Sequence, residues 1–321
     1  MAIAASRVGQ PLAADLARVE EELGSIGQEA GPLLHEAIRH HLSTGGKRIR
    51  PRIALLAGRM LLGDAPRDLV RFAAVTELVH AASLVHDDTI DQAGTRRGEP
   101  TVDSRFGSHI SVLVGDYLFA QAAIITAELG SLRLMSLLAS TIQALVRGEL
   151  RQMSAAFKIE ASAANYESRI SDKSASLFVL AAEGAAVLAT APEDQVVGLR
   201  RYGEQLGLAF QIADDVLDYT GSNAVLGKPA GSDLANGVVT LPALRYLLTL
   251  PQDAPERRIV EEGGESARVV AAIRASDGPD YALQRARTLA AEAAEALDAF
   301  PPSSSREALA AISRESFGRR S

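Results

Sequence analysis

The chain has no cysteine and no tryptophan, and its aromatic residues amount to only 4%. Without cysteine there is no disulfide framework, no thiolate metal site and no cysteine nucleophile. Scarce aromatics beside abundant alanine disfavour sheets, because strands draw on aromatic and β-branched residues while alanine is the best helix former. A basic excess is also missing: the net charge of −7 disfavours a general nucleic-acid role. The N-terminal stretch MAIAASRVGQPLAADLARVEEELG lacks the basic start and long apolar core of a signal peptide. No stretch approaches the about 20 apolar residues that a membrane span needs without charges. A soluble, cytoplasmic protein with no membrane span is expected.

What is present is a large apolar share, 47% of 321 residues, enough for one large domain or two ordinary ones. Apolar residues at three- and four-residue spacing predict helices over 11–23, about 31–42, 50–62, 67–91, 108–128 and 131–156. The same spacing continues over 166–190, 194–219, 238–250, 266–276, 280–298 and 304–316. Strand alternation is hard to find. Breaks fall at turn chemistry, as in TGGKRIRP (44–51), QAGTRRGEP (92–100) and YTGSNAVLGKPAGSDLANG (219–237). No linker is long enough to divide the chain, so one all-α domain over 1–321 is the simplest reading.

Two acidic clusters stand out. LVHDDTIDQAGTRRGEPT (84–101) carries Asp87, Asp88 and Asp91 at the end of a long apolar helix, with Arg96 and Arg97 close behind. Asp87 and Asp91, four apart, lie on one face, with His80 and Leu84 on the same stripe. The negative end of the helix dipole makes this a costly place for carboxylates, so something positive must offset them. Mg²⁺ suits: it is a hard ion held by a few carboxylates plus phosphate oxygens. The pattern recurs in FQIADDVLDYTG (210–221), where Asp214, Asp215 and Asp218 end another apolar helix, Gln211 sits one turn earlier, and a glycine-rich loop with Lys228 follows. Two facing clusters would hold metal ions and a diphosphate on the metals. One such match is as well explained by a solvated helix end; two with matched surroundings are not. A calcium loop is disfavoured, since the EF-hand spacing and its terminal glutamate are missing.

Basic residues accompany both clusters. GGKRIRP (45–51) presents Lys47, Arg48 and Arg50 after two glycines, beside a helix start that favours anions. Arg96, Arg97, Lys173 with Ser174, and Lys228 point the same way, arginine being matched to phosphate by its two-pronged fork. Alone, each is also what a surface loop looks like. His80 is the only histidine on the metal-facing stripe, and His86 stays unassigned.

GGKRIRP, HDDTIDQAGTRRG, GDYLFAQA (115–122), DKSASLF (172–178), FQIADDVLD and GKPAGSDLANGVVTLP (227–242) together resemble the trans-isoprenyl diphosphate synthases, the polyprenyl synthetase family. The resemblance runs over about residues 40–250, leaving helices but no motif in 251–321. It implies a single-domain helical bundle around a deep central cavity, a homodimer, and condensation of isopentenyl diphosphate with an allylic diphosphate. Lys47, Arg50, His80 and Arg97 would bind isopentenyl diphosphate. Arg96, Lys173, Ser174, Gln211 and Lys228 would bind the allylic diphosphate. Asp87 and Asp91 would ligate two Mg²⁺ ions and Asp214 a third, with Asp88, Asp215 and Asp218 as ligands or their partners. Catalysis would rest on Asp87, Asp88, Asp91, Lys173 and Asp214. Ser174 departs from the more usual threonine but keeps the hydroxyl.

Family short-chain enzymes often place bulky aromatics four and five positions before the first aspartate, or carry an insertion in the motif. Here those positions are Ser83 and Ala82, and the insertion is absent. With Ala120, Ala123 and Ala127 on one face of a later helix, this implies an open tunnel and a product of about thirty carbons or more, by family analogy; small residues that merely permit close packing are the other reading of those three alanines. Three rivals stay open: a synthase of farnesyl or geranylgeranyl diphosphate, a class I terpene cyclase, and an inactive partner subunit. The second aspartate motif and GGKRIRP speak against the last two.

Overall fold

The computed structural model describes residues 9–160, 162–221 and 230–315. The only strands among them are Thr95–Arg96 and Glu99–Pro100, antiparallel with Thr95 opposite Pro100. The all-α class expected from composition is therefore the observed one. The described residues fall into two compact units.

The first unit comprises residues up to 142 together with 177–203 and 297–309. It holds α1 (Gly9–Ser25), α2 (Pro32–Ser43), α3 (Ile49–Leu62), α4 (Arg67–Ile90), α5 (Val102–Phe106) and α6 (Ser108–Glu128). Helix α4 packs against α1, α3 and α6. Pro66 in extended conformation starts it, and Asp68 in the first turn suits the positive helix end. Leu69, Val70 and Phe72–Val79 are buried, so α4 is apolar all round and forms the middle of the unit. Glycines let its neighbours close on it. A Cβ at Gly58 would lie 2.3 Å from the Leu69 side chain, and one at Gly115 would lie 2.2 Å from the His86 ring.

Helix α6 buries Ser111, Val114, Leu118, Ala122 and Ile125 at three- and four-residue spacing. Its other face leaves Val112, Leu113 and Ile124 at 44%, 55% and 50% exposure. The expectation that no stretch approaches a membrane span is corrected here. Both α4 and α6 are long and apolar enough by length and composition, yet 72% of the apolar window of α4 is buried inside the fold, against 39% for α6.

The second unit comprises 143–176, 204–296 and the residues after 309. Its core joins Tyr166, Leu208, Ile212, Tyr219, Leu244 and Leu289. These come from α8 (Ala163–Ile170), the later part of α10 (Glu193–Thr220), and helices 241–249 and 278–296. The predicted helix over 166–190 is observed as one run, Ala163 to Leu188, but its winding changes inside it. Between α8 and α9 (Ser176–Leu188) lies a π-helical turn, Ser171–Ala175. Such a turn inserts an extra residue and rotates the side chains it carries, here Lys173 and Ser174. The strand pair, α5 and the helix Pro255–Glu261 escaped the periodicity reading because they are too short for it. Thr101 does cap α5, accepting from the Ser104 amide at 3.0 Å.

Candidate active site

The first aspartate motif closes α4. Asp87 is half-buried, Asp88 buried and Asp91 exposed. Asp88 accepts from Arg96: Nε lies 2.9 Å from each carboxylate oxygen and Nη2 2.8 Å from Oδ1. The closeness of Arg96 to this acidic motif is thus explained in part by internal pairing. Asp87 and Asp91, four positions apart, are the two carboxylates of the motif on one helix face.

The basic residues of this unit converge on His80. Burial comes first, then Arg50, Arg96, Arg97 and His41, in holding its imidazole well below the usual histidine range. At neutral pH His80 therefore offers an N–H but no charge, and the positive potential comes from the arginines. Arg50 also lies over the Phe178 ring at 5.0 Å. Arg97, in left-handed conformation, donates to the Gly45 carbonyl and thereby ties the strand pair to the GGKRIRP loop. Lys47 stands exposed on that loop. Arg48, grouped with these residues by sequence, is instead structural. It binds Glu20 at 2.6 Å and Glu77 at 2.7 Å. His86 is structural too, its Nε2 lying 3.1 Å from the Val112 carbonyl oxygen.

His41 is a member that no motif revealed. It is buried, and burial with Arg96 lowers its pKa to about 4. The unfolded chain binds a proton at about 6.5 and the folded chain only near 4, so stability is full above the first value and falls as pH drops between them. The shift corresponds to about 3 kcal/mol. Urea unfolding of His41→Gln between pH 7 and pH 4.5 should show a shallower acid-side loss than wild type. An unchanged slope contradicts this assignment.

The second motif closes α10. Asp214 is half-buried, whereas Asp215 and Asp218 are 4% and 1% exposed. Asp218 accepts from the Ser232 hydroxyl at 3.0 Å and the Asp233 amide at 3.2 Å. Asp215 accepts the Tyr166 hydroxyl at 2.5 Å on Oδ2 and the Gln211 amide at 2.8 Å on Oδ1. Burial and the nearby Asp233 push its carboxyl up to about 7. Ser174 in turn donates to Gln211 Oε1 at 2.6 Å. Asp215 and Asp218 are thus largely engaged inside the unit, and Asp214 is the more accessible of the three. Gln211, Asp215 and Ser174, singled out by sequence, do meet.

Lys173 pairs with Glu149 of α7 (Leu132–Ala155). Arg147 and Arg151 from the same helix hold Asp172, with contacts at 2.9 Å and 2.7 Å. Arg147 keeps the Asp172 carboxyl below the usual carboxylate range. Gly148 lies between these three: a Cβ there would stand 2.5 Å from the Lys173 amide nitrogen. Segment 147–151 therefore grips the π-turn at Asp172 and at Lys173. Sequence reasoning missed it because its partners lie more than twenty positions away. Lys228 lies outside the described residues.

The donor sets fit Mg²⁺: they are hard carboxylate oxygens at helix ends. Among the described residues no group of three or more histidines, aspartates or glutamates forms a ready metal cage.

Aspartate motifs at two helix ends, a cationic cluster behind the first and a lysine paired with Glu149 mark this chain among all-α proteins. A family model described as Polyprenyl synthetase matches residues 31–275. The octaprenyl diphosphate synthase of Haemophilus influenzae is 37% identical over 95% of this chain and 94% of its own. Component 2 of the heptaprenyl diphosphate synthase of Geobacillus stearothermophilus is 40% identical over 92% of each chain. The crystal structure of a decaprenyl diphosphate synthase from Rhodobacter capsulatus superimposes with a TM-score of 0.91 at 33% identity, covering 98% of both chains. The chain belongs to the polyprenyl synthetase family, and so to the enzymes that transfer prenyl groups.

Proposed function

We propose that this protein condenses isopentenyl diphosphate with an allylic diphosphate, head to tail, to an all-trans polyprenyl diphosphate of about thirty carbons or more. The observation that carries this is the pair of helix-end motifs, in which Asp87, Asp91 and Asp214 are more accessible than Asp88, Asp215 and Asp218, which Arg96, Tyr166, Gln211 and Ser232 bind. Mg²⁺ bound there, three ions by family resemblance, supplies Lewis-acid neutralisation of the departing diphosphate. Lys173 and Arg96 add fixed positive charge beside the allylic diphosphate, with Ser174, Gln211 and Lys228 completing its site. Arg50, Arg97 and Lys47 hold isopentenyl diphosphate, with His80 as a neutral donor. The allylic carbon–oxygen bond breaks, the alkene of isopentenyl diphosphate attacks the cation, and a proton leaves to the released diphosphate. Apolar walls exclude the water that would quench the cation.

Product length has two readings. The names of the relatives, octaprenyl, heptaprenyl and decaprenyl, support a long product. Ala82, expected to line an open tunnel, has no exposed surface, and a farnesyl or geranylgeranyl product is the other reading. Ser83 is half-buried, its hydroxyl donating to the His80 carbonyl at 2.9 Å, and is the better position to probe. Ser83→Phe should shorten the product by at least two isoprene units, read by mass spectrometry. Products of wild-type length would remove Ser83 from the tunnel wall.

The exposed apolar face of α6, with Leu113, Ile124, Ala120 and Ala127, supports a homodimer. Sedimentation at a mass of one chain would refute it. The acidic composition supports a cytoplasmic enzyme.

A further inference from the structure

We infer that Tyr166 is a positioning residue for the allylic diphosphate site, acting through Asp215 on the Gln211 amide and the Ser174 hydroxyl. This rests on the function proposed above. Tyr166 has no exposed surface, so it cannot touch a substrate. Its hydroxyl nevertheless donates to Asp215 Oδ2 at 2.5 Å, at the start of a chain that ends beside Lys173.

The chain has a direction. Asp215 offers one oxygen to Tyr166 and the other to the Gln211 amide nitrogen, at 2.8 Å. The Gln211 NH₂ end thus faces Asp215 and its carbonyl end faces Ser174. Ser174 lies 2.6 Å from that carbonyl oxygen and must donate to it. The Ser174 proton is thus committed, so its oxygen faces donors such as a water, while the second Gln211 amide hydrogen is the donor left for a diphosphate oxygen. Without the Tyr166 hydroxyl, Asp215 Oδ2 is buried and lacks a donor. The Gln211 amide and Asp215 are then free to turn, and the Ser174 hydroxyl loses its fixed direction. Nothing else in sequence links Tyr166 to this site: it lies two helical turns before Lys173 and forty-nine positions from Asp215.

Steady-state kinetics of Tyr166→Phe test this. The expected result is an allylic-substrate KM raised about tenfold and kcat lowered about tenfold, with the isopentenyl diphosphate KM unchanged. The loss should shrink to less than threefold in a Gln211→Leu background, because residues acting as one chain are not additive. Should Tyr166→Phe not fold, Asp215→Asn in the same background carries the same test, since its amide puts an NH₂ where one of the two carboxylate oxygens accepted a hydrogen bond. Unchanged constants, or full additivity with Gln211→Leu, overturns the inference. Wild-type protein without any elongation activity would instead overturn the functional reading on which it rests.

Discussion

Asp87→Asn lowers kcat/KM by about 10²–10³-fold, a loss typical for removal of one group that stabilises developing charge, while helix content and melting temperature stay near wild type. Asp87 is half-buried in the last turn of α4, and Asp91 follows four positions later on the same face. The middle aspartate behaves differently. Asp88 is 3% exposed and grips Arg96 through both oxygens, so its replacement unpairs an arginine and acts through the fold as well. The two substitutions therefore separate by readout. Asp87→Asn should move activity and its Mg²⁺ dependence, and Asp88→Asn should also move the thermal midpoint. Equal loss of stability in both would mean that Asp87 is structural.

Gly148→Ala destabilises the protein and removes most of its activity. In an ordinary helix interior, alanine is better than glycine by roughly 0.5–1 kcal/mol. Here a Cβ would stand 2.5 Å from the Lys173 nitrogen and 2.8 Å from its Cα, both backbone atoms that cannot swing aside. Either α7 or the π-turn must shift, and overpacking of this kind costs about 1–3 kcal/mol. The neighbours of Gly148 do the gripping: Arg147 and Arg151 on Asp172, and Glu149 on Lys173. A displacement of about 1 Å in a charged catalytic group costs about 10²-fold. Thermal melts and steady-state rates of Gly148→Ala check both parts. A variant as stable and as active as wild type would show that the close approach is not required.

Much of the fold was legible because it rests on local spacing. Helices α4, α6 and α10 were predicted within two residues at each end, since their apolar positions repeat through five or more turns. The π-turn was not legible. Ser171–Ala175 lies inside one helical run, and the α7 residues that contact it lie up to twenty-five positions away. The two aspartate motifs could be read directly, because spacing alone puts the first and last carboxylate on one face. Their division of labour could not. Only the positions of Arg96, Tyr166 and Ser232 separate Asp88, Asp215 and Asp218 from the rest. Arg48 sat in a basic motif and proved structural, because Glu20 and Glu77 are brought to it by packing. Ala82 was read as a tunnel wall from its small size, yet size does not report what packs against it, and it is fully covered.

The most direct measurement is the product distribution of the purified protein with Mg²⁺, isopentenyl diphosphate and separate allylic primers, analysed by mass spectrometry. A ladder ending at about thirty carbons or more is the predicted result. Arrest at fifteen or twenty carbons would keep the chemistry and contradict the long product. No elongation from any primer by folded protein would contradict the proposed reaction itself.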